Sequence, residues 1–325
     1  MMRRHVVTAS AALVALVLGL PMSASNSEAH STSPVVAAVA EESEGNKPLT
    51  TTMGLAFSEA GYSDVYDLYV GEDLATDRPG VLFFFDGDTA SDETANYGDD
   101  ETMERLRDVA AEHNLVLVAP HTPEGIEDED FLNWWNVPDK GEYARELVKH
   151  VLASYDVDET RIWLTGFSGG AELVMSELMA HDRGWFAGGG AIVMGGGEAM
   201  RGVEAVDDVR IATMPLYWFI GSDDGTLEPN EDTWSAKQAA DSGRTSYQEA
   251  GFTATQWIEI PDQGHSYDIP EVISTGLSDV RERRTEFVNS ADQRESLFSP
   301  TEPGLLTSES TPAARWQWLL VATTP

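Results

Sequence analysis

Apolar and polar positions follow two rhythms along the chain, and the rhythms take turns. Residues 65–70 (Val-Tyr-Asp-Leu-Tyr-Val) alternate with period two, the pattern of a strand with one buried face. Residues 81–85 (Val-Leu-Phe-Phe-Phe) form an unbroken apolar run, which fits a central strand covered on both faces. Met103, Leu106, Val109 and Ala110 then recur at helical spacing, and residues 115–119 make a second buried run. Tyr143, Leu147, Val148, Val151, Leu152 and Tyr155 mark another helix. A strand at 161–165 and a helical stripe of Ala171, Val174, Met175, Leu178 and Met179 come next. Strands at 191–194, 216–220 and 257–260 follow, with helices over 234–250 and 272–288. This alternation predicts an α/β domain with a mostly parallel central sheet and helices on both faces. There is no internal repeat.

The two ends read differently. Arg3 and Arg4 precede an apolar run over 11–20, then Pro21 and the small residues Ser23, Ala24, Ser25 and Ala29. A basic start, a short apolar middle and a small-residue end predict a secretory signal peptide over 1–29, with an apolar run too short to span a membrane comfortably. Residues 30–48, rich in Ser, Ala, Val and Glu, read as a disordered leader. The catalytic domain is expected over 49–290. Residues 291–325 read as a C-terminal extension packing on it, extended around Pro300 and Pro303. The alternation of Trp316, Trp318 and Leu320 fits a short edge strand there.

Charge and composition narrow the chemistry. The 325 residues carry 56 Asp and Glu against 20 Lys and Arg, a net of −36. A surface of that sign repels phosphate backbones and anionic headgroups, so nucleic acid is not an expected partner, nor is a membrane once the signal is removed. The chain has no cysteine, which excludes disulfides, a thiolate nucleophile and Cys-ligated zinc. Asp86, Asp88 and Asp92 lack the spacing of a calcium loop. The glycines at 188–190 and 195–197 flank a strand but do not open a helix as a dinucleotide motif would. No metal or cofactor is expected.

The reactive signal is Gly166-Phe167-Ser168-Gly169-Gly170, set between the strand 161–165 and the helix from 171. A sharp strand–turn–helix of this kind lifts its serine above the sheet, and it needs neighbours without bulk two positions away on either side. Such a nucleophile calls for an acid and then a histidine later in the chain. Only His181 and His265 remain after Ser168. His181 falls late in the helix after the turn and reads as a helix-end histidine. His265 follows the strand 257–260 in a loop and is the expected base. The strand 216–220 ends in Gly221-Ser222-Asp223-Asp224; Asp224 is the expected acid, with Asp223 as the solvated neighbour. Oxyanion donors are expected from the amide of Gly169 and from the loop after 81–85, at Asp88 first and Gly87 second. Trp134 and Trp135, on the long loop 120–138, are expected to border the cleft, and His121 to line it.

These residues together resemble the α/β-hydrolase superfamily, and more narrowly secreted esterases related to polyhydroxybutyrate depolymerases and feruloyl or acetylxylan esterases. The likeness spans roughly residues 50–290. It is carried by Tyr66-Asp67-Leu68-Tyr69-Val70, by Arg161-Ile162-Trp163-Leu164-Thr165 leading into the serine turn, by Gly221-Ser222-Asp223-Asp224, by Gly264-His265, and by Asn133-Trp134-Trp135-Asn136. The chain departs from those esterases in lacking disulfides and in having Asp86-Gly87 where many have His-Gly. The resemblance implies an α/β-hydrolase fold and hydrolysis of small or polymeric carboxylic esters through an acyl-enzyme, outside the cell and without a cofactor. A serine peptidase of the same fold and a non-catalytic binding protein are the alternatives.

Overall fold

The computed structural model describes residues 47–72, 74, 78–90, 100–123, 131–134, 139–227 and 234–298. The signal peptide, nearly all of the leader, Trp135 and residues 299–325 lie outside them. The chain divides into two units, Met1–Glu41 and Glu42–Pro325; the first falls wholly outside the described residues, and the second carries the domain.

In chain order the strands are β1 (Thr52–Glu59), β2 (Tyr62–Tyr69), β3 (Gly80–Phe85), β4 (Thr89–Ala90), β5 (Leu115–Pro120), β6 (Phe131–Leu132), β7 (Ile162–Phe167), β8 (Gly189–Met194), β9 (Leu216–Gly221) and β10 (Thr255–Ile260). The helices are α1 (Asp100–Glu112), α2 (Lys140–Ser154), α3 (Gly169–Leu173), α4 (Val209–Ala212), α5 (Ala236–Glu249) and α6 (Ile269–Phe298). Eight strands form one sheet in the order β1-β2-β5-β3-β7-β8-β9-β10, while β4 and β6 pair as a short separate ribbon. Within the eight-stranded sheet β1 and β2 pair antiparallel, as do β2 and β5, and every other neighbour is parallel.

The apolar run at 81–85 explains how two cores share one sheet. Val81, Phe83 and Phe85 join the core under α2, α3 and α5. Leu82 and Phe84 join the core under α1 and α6. β3, β5 and β9 are buried at every position, as expected of strands with helices on both faces. The parallel strands then all present their C-terminal ends along one edge, where ligands of open α/β sheets bind.

Several elements depart from the sequence expectation. β1 was not expected: most of its side chains are exposed, so it has no clean apolar rhythm. It is fixed instead by a two-residue hairpin at Ala60 and Gly61, both at positive φ (50° and 84°), the geometry that matches strand twist. The helix expected over 272–288 runs from Ile269 to Phe298, so the domain boundary at 290 falls inside a helix. Residues 291–298 are helical rather than extended because no proline or glycine interrupts them before Pro300. The helix after the serine turn is short: α3 passes into one π-helical turn, Val174–Leu178, and stops. His181 therefore lies beyond the helix, not in its last turn. Among the described residues no helix is long and apolar enough to cross a membrane.

Candidate active site

Ser168 sits between β7 and α3 with φ 49° and ψ −117°, a sparsely populated conformation for any residue with a side chain. Space dictates both flanking glycines. A Cβ on Gly166 would lie 2.4 Å from the Gly170 carbonyl oxygen, and a Cβ on Gly170 would lie 2.1 Å from that of Phe85. The turn is tied down on both sides: the Ser168 N–H donates to the Met194 carbonyl at 3.0 Å, and its carbonyl accepts from the Glu172 N–H at 3.1 Å.

Two loops beyond the same sheet edge bring the partners. His265, after β10, places Nε2 3.0 Å from Ser168 Oγ. Its Nδ1 lies 2.9 Å and 3.0 Å from the two carboxylate oxygens of Asp224, which follows β9. Asp224 is buried. Asp223 next to it is exposed, and among the described residues its carboxylate accepts from the Ser222 hydroxyl, at 3.1 Å. An Nδ1 that donates to a carboxylate leaves Nε2 as the acceptor facing the serine hydroxyl. The domain has the α/β-hydrolase fold.

Among solved structures, LpqC, a poly(3-hydroxybutyrate) depolymerase from Bordetella parapertussis, is similar at 14% identity, covering 70% of this chain and 90% of that one with a TM-score of 0.48. Zea mays acyl-protein thioesterase 2 is 13% identical, covering 67% of this chain and 97% of that one, with a TM-score of 0.46. Est1E from Butyrivibrio proteoclasticus is 11% identical, covering 72% and 100%, with a TM-score of 0.47. No protein-family model matches the chain, and no curated protein matches its sequence.

Beside Ser168 lies a cavity of about 290 Å³, lined by Asp88, Ser168, Gly169, Glu172, Glu198, Met200 and Trp234. Gly169 and Asp88, the first two expected oxyanion donors, are both in its wall. Gly87 is not the spare donor it was expected to be, because its N–H donates to Asp86 Oδ1 at 2.7 Å. Its glycine identity serves close approach: a Cβ there would lie 3.0 Å from the Phe167 ring and 3.2 Å from Ser168 Cβ. Trp134 does not border the cleft. It is 1% exposed in the core, edge-on to Phe85 with ring centroids 5.4 Å apart. The β4–β6 ribbon, which ends two residues before it, leads it inward. His121 is also absent from the wall. Its Nε2 lies 3.0 Å from Asp67 Oδ2, and that carboxylate raises the affinity of the imidazole for a proton.

Among the described residues the aromatic lining the cleft is Trp234, 57% exposed and edge-on to His265 with centroids 5.5 Å apart. Met200 is exposed beside it. Sequence reasoning read Trp234 as the first apolar residue of a helix; in fact α5 begins at Ala236, capped by Ser235, which frees the indole for the cleft. Tyr267 was also missed. It is buried, and its hydroxyl lies 2.5 Å from Asp224 Oδ2 and 2.8 Å from the Gly221 amide nitrogen.

Glu172 is a buried carboxyl one turn beyond Ser168. Gly197 N–H donates to its Oε1 at 3.0 Å and Glu198 N–H to its Oε2 at 2.6 Å. The three glycines 195–197 hold positive φ (62°, 155° and 101°), which lets this loop close over the carboxyl. Burial outweighs the two amide donors and pushes Glu172 up to about 8 from 4.5. Between those two values the folded state holds a proton that the unfolded chain has released, so stability falls as pH rises. Each unit of difference is worth about 1.4 kcal/mol, and allowing for water at the cavity wall leaves about 2–4 kcal/mol. The stability of the parent relative to Glu172→Gln is expected to fall by that amount from pH 5 to pH 8 in urea melts. Parallel pH curves for the two proteins would show that Glu172 ionises normally.

Proposed function

We propose that this chain is a secreted serine hydrolase that cleaves carboxylic esters through an acyl-enzyme. The observation that carries the reading is the unbroken hydrogen-bonded line from Asp224 through His265 to Ser168, ending at an open cavity. In this mechanism His265 Nε2 takes the Ser168 proton as Oγ attacks the ester carbonyl. Asp224 holds the imidazole tautomer and balances the charge that forms on the ring. The amides of Gly169 and Asp88 take the oxyanion of the tetrahedral intermediate. His265 returns the proton to the leaving alcohol, then activates water to release the acid. The triad residues themselves supply the nucleophile, the base and the charge balance, so no step of this reaction calls for a cofactor.

The cleft supports an ester with an apolar or aromatic part, because Trp234 and Met200 present apolar surface next to the nucleophile. Polyester depolymerase and feruloyl or acetyl esterase activities are the finer readings. Export rests on the amino-terminal pattern of Arg3, Arg4, the apolar run and the small residues after it.

A panel of short and long p-nitrophenyl esters, methyl ferulate, acetylated xylan and polyhydroxybutyrate tests the reading, with a fluorophosphonate probe to mark the reactive serine. Turnover of at least one ester and labelling at Ser168 are expected. A protein that neither hydrolyses any of them nor takes the label is not a serine esterase. Trp234→Ala is expected to raise KM for aromatic or polymeric esters roughly fivefold, since an aromatic contact is worth about 1 kcal/mol. It should leave p-nitrophenyl acetate nearly unchanged. Equal losses on all substrates would make Trp234 a support for His265 rather than a substrate contact.

A further inference from the structure

Asp224 has a second partner that the ester-hydrolase reading does not use. The Tyr267 hydroxyl is 2.5 Å from Asp224 Oδ2, and it accepts the Gly221 N–H at 2.8 Å. A backbone N–H can only donate, so the phenol proton is left to point at the carboxylate. Gly221 is the last residue of β9, Asp224 lies on the loop that follows it, and Tyr267 comes two residues after His265 on the loop after β10. One oxygen atom thus joins the strand end that carries the acid to the loop that carries the base. The Tyr267 ring also packs edge-on against Phe167, the residue before Ser168, with centroids 5.7 Å apart. Its neighbour Gly195 packs closely on both: a Cβ there would lie 3.0 Å from the Tyr267 ring and 3.1 Å from His265 Cε1. The phenol is therefore wedged in place, not resting against the site by chance.

We propose that Tyr267 is a positioning residue of the triad: its phenol oxygen, held between the Gly221 amide and Asp224, fixes that carboxylate against His265 and draws off part of its charge. The proposal rests on the ester-hydrolase reading of the same site. A carboxylate that gives one lone pair to a short O–H bond has less charge to offer the imidazolium across from it. Burial and the adjacent carboxylate both raise the phenol, so it remains the donor throughout the working range. Among the described residues, the other ionisable groups around the site are Asp88, Glu172 and Glu198, which line the cavity with Ser168, and the exposed Asp223 and Asp262 on the flanking loops. The Tyr267 hydroxyl bonds Asp224 and the Gly221 amide, so the direct effect of removing it falls on the Asp224 carboxylate.

Two variants test this, with each protein normalised to its fluorophosphonate-reactive Ser168. In Tyr267→Phe, kcat is expected to fall about tenfold with KM within about twofold, as for a lost charge-assisted hydrogen bond that contacts no substrate. The acid limb of kcat/KM should move up by about half to one pH unit, because the undivided carboxylate favours the imidazolium. The proton on His265 Nδ1 should move downfield in the NMR spectrum. 3-Fluorotyrosine at 267 keeps the ring in place and strengthens the donor, so it should move both readouts the other way; it decides the matter if the phenylalanine variant does not fold. A tyrosine that only packs would lower the melting temperature and leave the acid limb and the Nδ1 proton where they were in both variants, and that result overturns the proposal. If the parent hydrolyses no ester, the function proposed above fails instead, and the Nδ1 proton, which needs no turnover, still decides the role of Tyr267.

Discussion

Ser168→Ala is expected to lower kcat by roughly a million-fold, because triad members act as a unit and the loss of one removes the benefit of the others. The alanine variant should fold as the parent does. Ser168 is only half-buried, its backbone hydrogen bonds to Met194 and Glu172 do not involve the side chain, and alanine meets the same backbone strain at φ 49°. His265 would then keep its bond to Asp224 but face no hydroxyl. Adding His265→Ala to Ser168→Ala should cost little more, the signature of residues that work together. Activity within about tenfold of the parent would mean that another group attacks the ester. Fluorophosphonate labelling provides the check that needs no substrate choice: it should vanish in the alanine variant and persist in the parent.

Asp224→Asn should cost roughly ten-thousand-fold in kcat. Asparagine is nearly the same size, but it can offer an N–H toward His265 Nδ1 where the aspartate only accepts. The imidazole then moves its proton to Nε2, which lies 3.0 Å from Ser168 Oγ and must be bare to accept from it. Asp223→Asn should leave kcat within about twofold, since an exposed carboxylate bound to Ser222 and away from His265 contributes little. If the two variants exchanged effects, the acid would be Asp223. Melting temperatures separate chemistry from packing here. Asp224→Asn also disturbs the bond to Tyr267, so a modest loss of stability is expected alongside the far larger loss of rate.

What could be read from the residues depended on how local the physics was. The serine turn was legible because its requirements are met within five residues: two glycines, and a strand and a helix on either side. That only one of Asp223 and Asp224 could face the histidine was legible, and the structure does bury Asp224 and expose Asp223, although the segment is a turn closed by the Asp224 N–H on the Gly221 carbonyl at 3.2 Å rather than an extended loop. Trp134 was not legible in this way. Its direction is set by pairing between Thr89–Ala90 and Phe131–Leu132, two residues on each side, too short to leave a rhythm. Trp234 and Tyr267 were hidden for a different reason. An aromatic near a helix start or in a loop carries no sign of which of its neighbours in space it will meet. Glu172 did leave a trace that went unread: it is the one carboxylate beside Ala171 in the stripe through Val174, Met175 and Leu178, and a charge there must be covered by something. β1 left almost none, because an exposed edge strand in a hairpin is specified by its turn rather than by burial.

β10 closes one edge of the sheet. Among the described residues it pairs with β9 alone, and no position along it is fully buried. The base is carried on the loop that leaves this strand, whereas the nucleophile rests on β7 in the middle of the sheet. Segments with few buried contacts open at lower free energy than the core around them. Thermal inactivation should therefore run ahead of unfolding: fraying of the last strand withdraws His265 while the serine turn, bounded by β3 and β8, is still intact. The same geometry makes docking of β10 on β9 a condition for the recovery of activity on refolding, since only then does Ser168 meet its base.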